Sequence, residues 1–320
     1  MPKTRRPRFG SLAYYPRKRT KKKVASVRYW AEVKEVKLLG FAGYKVGMVH
    51  LMISDNDPNS MTKNQTIFCP ATVIECPPLK TASIRFYKKT IDGLKVVGDV
   101  LAENLDKELA KRIILPKNRK NKIEDIKDFD DLKLLIYTQP KLTGIGKKKP
   151  ELFEVAIGGN KEEKLSYAKN ILGKEVNVWE VFKEGSQVDI HAITKGKGLQ
   201  GPVARFGIGL KGHKSEKCRR NPGSLGNWNA SNQMWRVPHA GQTGYSQRVE
   251  FNKWLLKIGK KIEEMSPKGG FLKYGVLKGT YIILKGSVPG TKARLIRFNA
   301  ATRPNKNVPK EAPAIKQVVM

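Results

Sequence analysis

The pattern of apolar and polar residues divides the chain into two strand-rich regions separated by a mixed segment. In residues 36–89, apolar runs punctuated by glycine predict strands, since glycine inside a strand pattern is typical of bends and bulges. Further strands are predicted at residues 188–193, 271–274, 279–284 and 293–298. Because both ends of the chain are strand-rich, the pattern predicts one small closed barrel assembled from distant segments.

Residues 96–185 carry a different pattern and hold 16 of the chain's 28 acidic residues. Strands are predicted at residues 132–137 and 152–157, and a helix is predicted from Asn160. Another helix, capped by Asp99, is predicted from apolar residues spaced four apart: Leu101, Leu105 and Leu109. The near-balanced charge of this block predicts an α/β insertion that does not face a polyanion directly.

Residues 194–248 lack apolar periodicity and contain ten Lys or Arg, ten Gly and a single acid, Glu216. So long an irregular segment is unusual within a compact domain and buries too little apolar surface to order itself. It nevertheless carries large aromatic side chains, at Phe206, Trp228, Trp235 and Tyr245. We therefore expect a polyanionic partner to order it. A helix capped by Ser246 is predicted directly after it.

Charge narrows the class of partner. The 320 residues include 63 Lys or Arg and 28 Asp or Glu, a net charge of +35. Nucleic acid is the usual partner of such a protein. A membrane is the other candidate, but no apolar window is long enough to span one and the basic runs do not form an amphipathic helix. Residues 1–36 form a basic arm, interpreted either as an extended phosphate-binding arm or as a disordered targeting or solubilising tail.

The sequence contains no pattern that predicts a catalytic site or a metal site. The three cysteines, Cys69, Cys76 and Cys218, predict neither a disulfide framework nor a metal site. Residues 207–212 match the dinucleotide fingerprint GxGxxG, but lack the strand, helix and acidic residue that it requires. No acid, base and nucleophile can be assembled into a catalytic set. We therefore expect no enzyme activity, no cofactor, no metal and no small-molecule substrate; any Mg²⁺ would be held only through bound RNA.

Trp228 has two interpretations. Its neighbours Gly226, Asn227, Asn229 and Ala230 supply no apolar packing. The side chain could fold back on the barrel as a core residue, or it could stack in RNA, where an aromatic platform contributes about 1–3 kcal/mol per base. Composition alone leaves both open.

Several linked motifs carry a resemblance to a known family. In order along the chain they are Arg8-Phe9-Gly10-Ser11-Leu12, Pro16-Arg17-Lys18-Arg19, Gly43-Tyr44-Lys45-Val46-Gly47-Met48, Gly226-Asn227-Trp228-Asn229, and Gly241-Gln242-Thr243-Gly244-Tyr245 with Arg248, Asn252 and Lys253. The chain resembles large-subunit ribosomal protein number three in its archaeal or eukaryotic form, over nearly its whole length.

The resemblance implies a mainly β fold: a closed β-barrel of the translation-factor type with an α/β insertion, a basic N-terminal arm and a long internal finger loop. It implies a structural protein of the cytoplasmic ribosome that binds large-subunit rRNA early in assembly, beside neighbouring ribosomal proteins. The finger would reach toward the peptidyl transferase centre with Trp228 at its tip. Eukaryotic members carry a histidine that can be methylated, for which His213 is the nearest candidate.

Domain boundaries and site residues follow. We expect an arm (1–36), a first barrel segment (37–95), the insertion (96–185), a barrel strand (186–193), the finger and following helix (194–269), C-terminal barrel strands (270–300) and a tail (301–320). The residues expected to bind RNA are Arg5, Arg6, Arg8, Arg17, Lys18, Arg19, Lys195, Lys197, Arg205, Lys211, His213, Lys214, Arg219, Arg220, Trp228, Arg236, Gln242, Tyr245 and Arg248.

Two rival functions compete with this one. An architectural nucleic-acid-binding protein outside the ribosome would bind plain DNA duplex as well as folded RNA. An RNA-modifying enzyme would need a cofactor pocket or a catalytic set and would turn over RNA. Preference for structured large-subunit RNA, without turnover, distinguishes the ribosomal interpretation from both.

Overall fold

A computed structural model describes residues 10–116, 121–126 and 128–319, and within this part the fold is mainly β. The strands are β1 Gly40–Ser54, β2 Thr66–Glu75, β3 Leu79–Thr90, β4 Gly93–Leu101, β5 Asp131–Thr138, β6 Leu152–Ala156, β7 Glu175–Val176, β8 Gln187–Ile193, β9 Gly198–Gln200, β10 Gly241–Thr243, β11 Gln247–Gly259, β12 Tyr281–Lys285, β13 Leu295–Ala300 and β14 Ile315–Val319. The α-helices are α1 Lys161–Ile171, α2 Val178–Val181 and α3 Pro202–Phe206. Short 3₁₀ helices are Leu12–Tyr14, Lys107–Lys111, Ile123–Asp125 and Pro140–Leu142.

The largest sheet has seven strands in the order β13-β8-β11-β12-β2-β1-β14. β1 is long enough to take two further partners besides β2. Its first residues pair with β13, from Gly40 to Tyr44, and its last residues pair with β14, from His50 to Ile53. Strands that are distant in sequence are thus neighbours in one antiparallel sheet, as the two strand-rich regions predicted.

A second sheet, ordered β4-β3-β5-β6 with β7 beside β3, contains the strands of the expected insertion. It also contains β3 and the start of β4, which lie within residues 37–95 and were expected to belong to the barrel. Its strands β5 and β6 and its helix α1 lie where the sequence predicted them. Asn160 caps α1 reciprocally with Glu163, whose carboxylate accepts the N–H of Asn160 at 3.1 Å. Buried side chains of both sheets share one large apolar cluster, and Ala82, Leu109 and Tyr137 form a second, smaller one.

The helix predicted from Leu101 to Leu109 is wrong. Residues up to Leu101 form β4, and only Lys107–Lys111 are helical, as a 3₁₀ turn. Asp99 does not cap a helix. Its carboxylate instead accepts two hydrogen bonds from Arg85 on β3, at 2.8 and 2.7 Å. A bidentate pair across adjacent strands outweighs the weak preference of leucines spaced four apart.

The helix predicted after Ser246 is also wrong, because residues 247–259 form β11. This strand lies between β8 and β12 and takes its hydrogen bonds from them. Its apolar and polar residues do not alternate regularly, as they would in an undistorted strand. Asn252 has a left-handed φ of +56°, and the register with β12 shifts between Leu255 and Lys257. Such irregularities break a period of two and imitate a helical spacing.

Three smaller expectations fail near the chain ends. Residues 271–274 form a tight turn closed by a bridge between Phe271 and Gly275, rather than a strand. The expected tail contains β14, which pairs with β1. The arm is shorter than residues 1–36, because Ala25 is buried and its carbonyl accepts a hydrogen bond from Arg297 at 3.0 Å. For the tail and the arm, the partner lies far away in sequence.

Glu75 is a buried carboxylate at the end of β2. The N–H groups of Lys278 and Gly279 donate to one of its oxygens, both at 2.8 Å, and the hydroxyl of Tyr274 donates to the other. Burial raises the pKa of Tyr274, and the charge of Glu75 raises it further. The protonated tyrosine therefore remains a donor, and the carboxylate ties residues 274–279 to β2.

The chain divides into two compact units. One comprises Met1–Lys23 with Ile193–Arg248, of which the structure describes residues 10–23 and 193–248, and the other comprises Val24–Ala192 with Val249–Met320. The second contains both sheets and the apolar cluster. Among the residues described, no helix combines the length and apolar character needed to cross a membrane.

Candidate nucleic-acid interface

The first unit contains a two-stranded ribbon at the base of the predicted finger. β9 and β10 pair antiparallel, and the N–H of Lys197 donates to the carbonyl of Thr243 at 2.9 Å. The chain then turns at Gly244, whose φ is +71° and where a Cβ would lie 2.0 Å from the carbonyl oxygen of Lys195. Only glycine fits this turn. This glycine therefore serves the protein's own backbone.

Arg17 and Arg205 join the arm to the base of the finger. The Arg17 Nη1 donates to the carbonyl of Arg205 at 3.0 Å, and the Arg205 Nη2 donates to the carbonyl of Arg17 at 3.5 Å. Arg205 also donates to the carbonyls of Gln242 and His239, at 3.1 and 2.9 Å. Burial lowers the pKa of Arg205. Both arginines, expected to bind RNA, thus direct several of their donors to the protein.

Aromatic rings fill the space beside these arginines. Phe206 is buried, and the Arg17 guanidinium lies 4.3 Å from its ring centroid. Tyr15 stacks on Phe206 at 6.2 Å and meets the edge of Trp235 at 5.3 Å. Rings and guanidinium groups at these separations attract one another. Tyr15 was absent from the expected site residues, although its position between basic residues of the arm is the signal that could have found it.

Three further contacts hold the arm against the base of the finger. The N–H of Thr20 donates to the carbonyl of Tyr245 at 2.9 Å, and Arg19 lies 5.0 Å from the Tyr245 ring. Arg248 lies 4.3 Å from the ring of Tyr14. The expectation that residues 194–248 are ordered only by an external partner is therefore wrong for the base, residues 194–206 and 241–248, which the arm and the ribbon order.

The outer part of the finger, residues 207–240, is different. It contains no helix or strand, and most of its residues are exposed. The Trp228 side chain is 98 % exposed, and a backbone bond from Lys211 to Arg219, at 3.1 Å, is one of few within the segment. Of the two interpretations of Trp228, this conformation excludes burial in the core. An exposed tryptophan of this kind is typical of a binding surface.

We expect limited trypsin digestion of the free protein to cut first within residues 207–240. Cleavage after Lys211, Lys214, Arg219 and Arg220 should be fast, since few hydrogen bonds must open there. Arg205 and Arg248, held by the base, serve as internal controls and should remain intact at that stage. Mass spectrometry of the early fragments measures this. Equal early cleavage at Arg205 would contradict the ordered base.

The structure sorts the expected RNA-binding residues into two groups. Those exposed to solvent are Lys18, Arg19, Lys195, Lys197, His213, Lys214, Arg219, Arg220, Trp228 and Arg236. Those partly buried are Arg17, Arg205, Lys211, Gln242, Tyr245 and Arg248. Gln242 uses its amide to brace the turn, donating to the Gly244 carbonyl at 3.2 Å. Arg5, Arg6 and Arg8 lie outside the described residues.

The charged residues of this unit are almost all basic. Its described residues include 16 Lys or Arg, and Glu216 is their single acidic residue. Residues 207–212, which match GxGxxG, follow helix α3 rather than a strand and lead into no helix. They therefore lack the structural setting of a dinucleotide site. The geometry instead shows an ordered base that carries a cationic segment without helix or strand, which is typical of proteins that bind nucleic acid.

Comparison with known proteins identifies the family. The sequence model described as Ribosomal protein L3 matches residues 1–318. The chain is 48 % identical over 313 residues to the large ribosomal subunit protein uL3 of Archaeoglobus fulgidus, covering 95 % of this chain and 94 % of the relative. It is 46 % identical over 323 residues to the uL3 protein of Methanobrevibacter smithii, covering 98 % and 96 %.

The class is therefore that of structural proteins of the large ribosomal subunit, and the chain is not an enzyme. Within that class it belongs to the ribosomal protein L3 family, uL3. The resemblance drawn from the sequence motifs is confirmed. Ribonucleoprotein character and a place in translation follow from the family.

Proposed function

We propose that this protein binds large-subunit rRNA through the exposed cations of its arm and finger and supports early assembly of the subunit. The observation that carries the proposal is the finger itself: residues 207–240 carry six Lys or Arg against one acid, with Trp228 open to solvent. Lys and Arg that neutralise phosphates release counterions, which drives binding. Exposed aromatics can stack on unpaired bases.

The division between base and outer segment supports a mechanical role for the finger. The base is held by Arg17, Arg205 and the β9–β10 ribbon, so it supplies a fixed point from which residues 207–240 project. The family resemblance implies that the finger extends toward the peptidyl transferase centre with Trp228 at its tip. RNA would then order the outer segment. Neighbouring large-subunit proteins are its other partners, in the cytoplasmic ribosome.

The proposal extends to the architecture. We infer that the large sheet closes into a barrel of the translation-factor type. In support, the strand order runs from β13 to β1, and β1 also pairs with β13 through residues Gly40 to Tyr44. A closed barrel removes exposed strand edges. It would also provide a rigid body on which the insertion is carried.

The experiment is a salt titration of binding to a large-subunit rRNA transcript. Because Arg219 and Arg220 are exposed, the double variant Arg219→Ala/Arg220→Ala should reduce the slope of log K against log salt by about 1.4–1.8. A matched control, Lys111→Ala/Lys169→Ala, removes two exposed lysines from the charge-balanced insertion and should leave the slope unchanged. Membership of the uL3 family disfavours the rival, an architectural protein outside the ribosome.

Two results would contradict the proposal. Equal reductions of slope in the finger variant and in the control would mean that binding reflects net charge alone. Equal affinity of the wild-type protein for plain DNA duplex and for the transcript would favour the architectural rival.

A further inference from the structure

A second basic region follows the finger in sequence. Residues 265–310 contain ten Lys or Arg and no acidic residue. The region belongs to the second unit, where it contributes β12, β13 and the turn at Phe271–Gly275. Arg297 of this set is buried inside the protein. Three of the remaining cations, Lys268, Lys273 and Lys278, lie within the turn or beside it in sequence.

The turn is rigidly anchored at three positions. Phe271, Tyr274 and Leu277 are buried, so every third side chain of the segment points into the core. The Phe271 ring packs over Gly47 of β1, where an added Cβ would lie 3.1 Å from its Cδ1 atom. Tyr274 donates to the buried Glu75. The N–H of each end of the turn donates to the other's carbonyl, both at 2.9 Å.

Between these anchors the turn presents side chains that the core does not need. Leu272 is 75 % exposed, and Val276 is 51 % exposed. Lys273 has a left-handed φ of +64°, a conformation that a lysine rarely adopts and that persists only where the surroundings impose it. Lys292 braces this arrangement by donating to the Leu272 carbonyl at 2.9 Å. An exposed apolar side chain is thus held in a fixed position beside a cation.

The charge around the turn indicates the kind of partner. Lys268, Lys273 and Lys278 are exposed and lie within six residues of Leu272 in sequence, and residues 265–279 hold no acid. A protein partner would need a matching acidic surface with an apolar pocket. Folded RNA supplies phosphates at close spacing, together with base and sugar faces against which an apolar side chain can pack.

We propose that the turn Phe271–Gly275, with Lys268, Lys273 and Lys278, is a second RNA-binding site, a preformed apolar and cationic knob that contacts phosphates of folded rRNA. This inference rests on the proposed function, which assigns RNA binding only to the arm and finger. Unlike residues 207–240, the knob needs no ordering when it binds. Its contribution to affinity is therefore present with any RNA fold that fits its shape.

The test uses the full chain, the large-subunit rRNA transcript and the same salt titration. Lys268→Ala/Lys273→Gly removes two charges, and glycine preserves the left-handed backbone at residue 273. We expect the salt slope to fall by about 1.4–1.8, with thermal stability unchanged. Lys111→Ala/Lys169→Ala is again the control. A second variant, Leu272→Ala, should weaken binding several-fold without changing the slope.

The outcomes separate the two proposals. If Arg219→Ala/Arg220→Ala lowers the slope and the knob variant does not, the knob proposal fails and the function stands. If neither variant lowers the slope, the proposed function fails as well. Lysine-directed crosslinking of assembled large subunits identifies the occupant. Nucleotides attached to the peptide containing Lys268 and Lys273 support the knob, and attachment to another ribosomal protein alone overturns it.

Discussion

Replacing Glu75 with leucine will lower the free energy of unfolding by roughly 3–5 kcal/mol, because buried and partly buried donors lose their acceptor. The carboxylate is fully buried and accepts the N–H groups of Lys278 and Gly279 and the hydroxyl of Tyr274. Leucine has a similar volume but leaves the buried Tyr274 hydroxyl and two partly buried N–H groups without an acceptor. An unsatisfied buried donor costs about 1–3 kcal/mol before relaxation. Chemical denaturation followed by tryptophan fluorescence measures the loss.

A matched control for this variant is Glu263→Leu, which removes an exposed carboxylate from the second unit. That change should alter stability by less than about 0.5 kcal/mol. Equal midpoints for Glu75→Leu and the wild-type protein would mean that residues 274–279 do not depend on this carboxylate. Hydrogen exchange of the Lys278 and Gly279 amides measures directly whether these two hydrogen bonds are lost.

Trp228→Ala should leave the stability of the free protein within about 0.5 kcal/mol of the wild type. The side chain is 98 % exposed, so its removal creates no cavity. Binding to the rRNA transcript should weaken by about 5- to 150-fold, which corresponds to the 1–3 kcal/mol that stacking on one base contributes. Denaturation and binding, measured on one preparation, separate the two effects.

The contrasting variant is Trp254→Ala. Trp254 is buried, and its indole N–H donates to the Gly185 carbonyl at 3.0 Å. Its replacement should cost about 3–5 kcal/mol of stability. If Trp228→Ala lost comparable stability, Trp228 would be a core residue. If it changed neither stability nor binding, Trp228 would have no role in RNA recognition.

Sequence patterns predicted a helix or strand correctly where residues close to it in sequence stabilise it. The helix from Asn160 is capped by its own third residue, Glu163, and the strands at 132–137 and 152–157 have strong apolar content. Prediction failed at residues 247–259, where a left-handed Asn252 and a bulge disguise a central strand. The pairing that stabilises this strand comes from β8 and β12, which no local window contains.

The candidate site divides in the same way. Composition identified residues 194–248 as a cationic segment, and the family resemblance predicted that Trp228 lies at its tip. Nothing in the sequence distinguished Arg17 and Arg205, which donate to each other's carbonyls across 188 positions, from Arg219 and Arg220, which face solvent. The turn Phe271–Gly275 was not singled out from the sequence, because the basic residues around it are spread through a region whose pattern predicts ordinary strands. The absence of acid across residues 265–310 is the signal that could have found it.

Sequence was sufficient to identify the family, and for properties that add up residue by residue: the net charge of +35 and the preference for a polyanionic partner that this charge implies. Long-range contacts determined which cations stay available to that partner. A guanidinium hydrogen-bonded to carbonyls has fewer donors left for phosphate, and the backbone of a lysine on an anchored turn is held at a fixed place. Both depend on segments that are distant in the chain and adjacent in the fold.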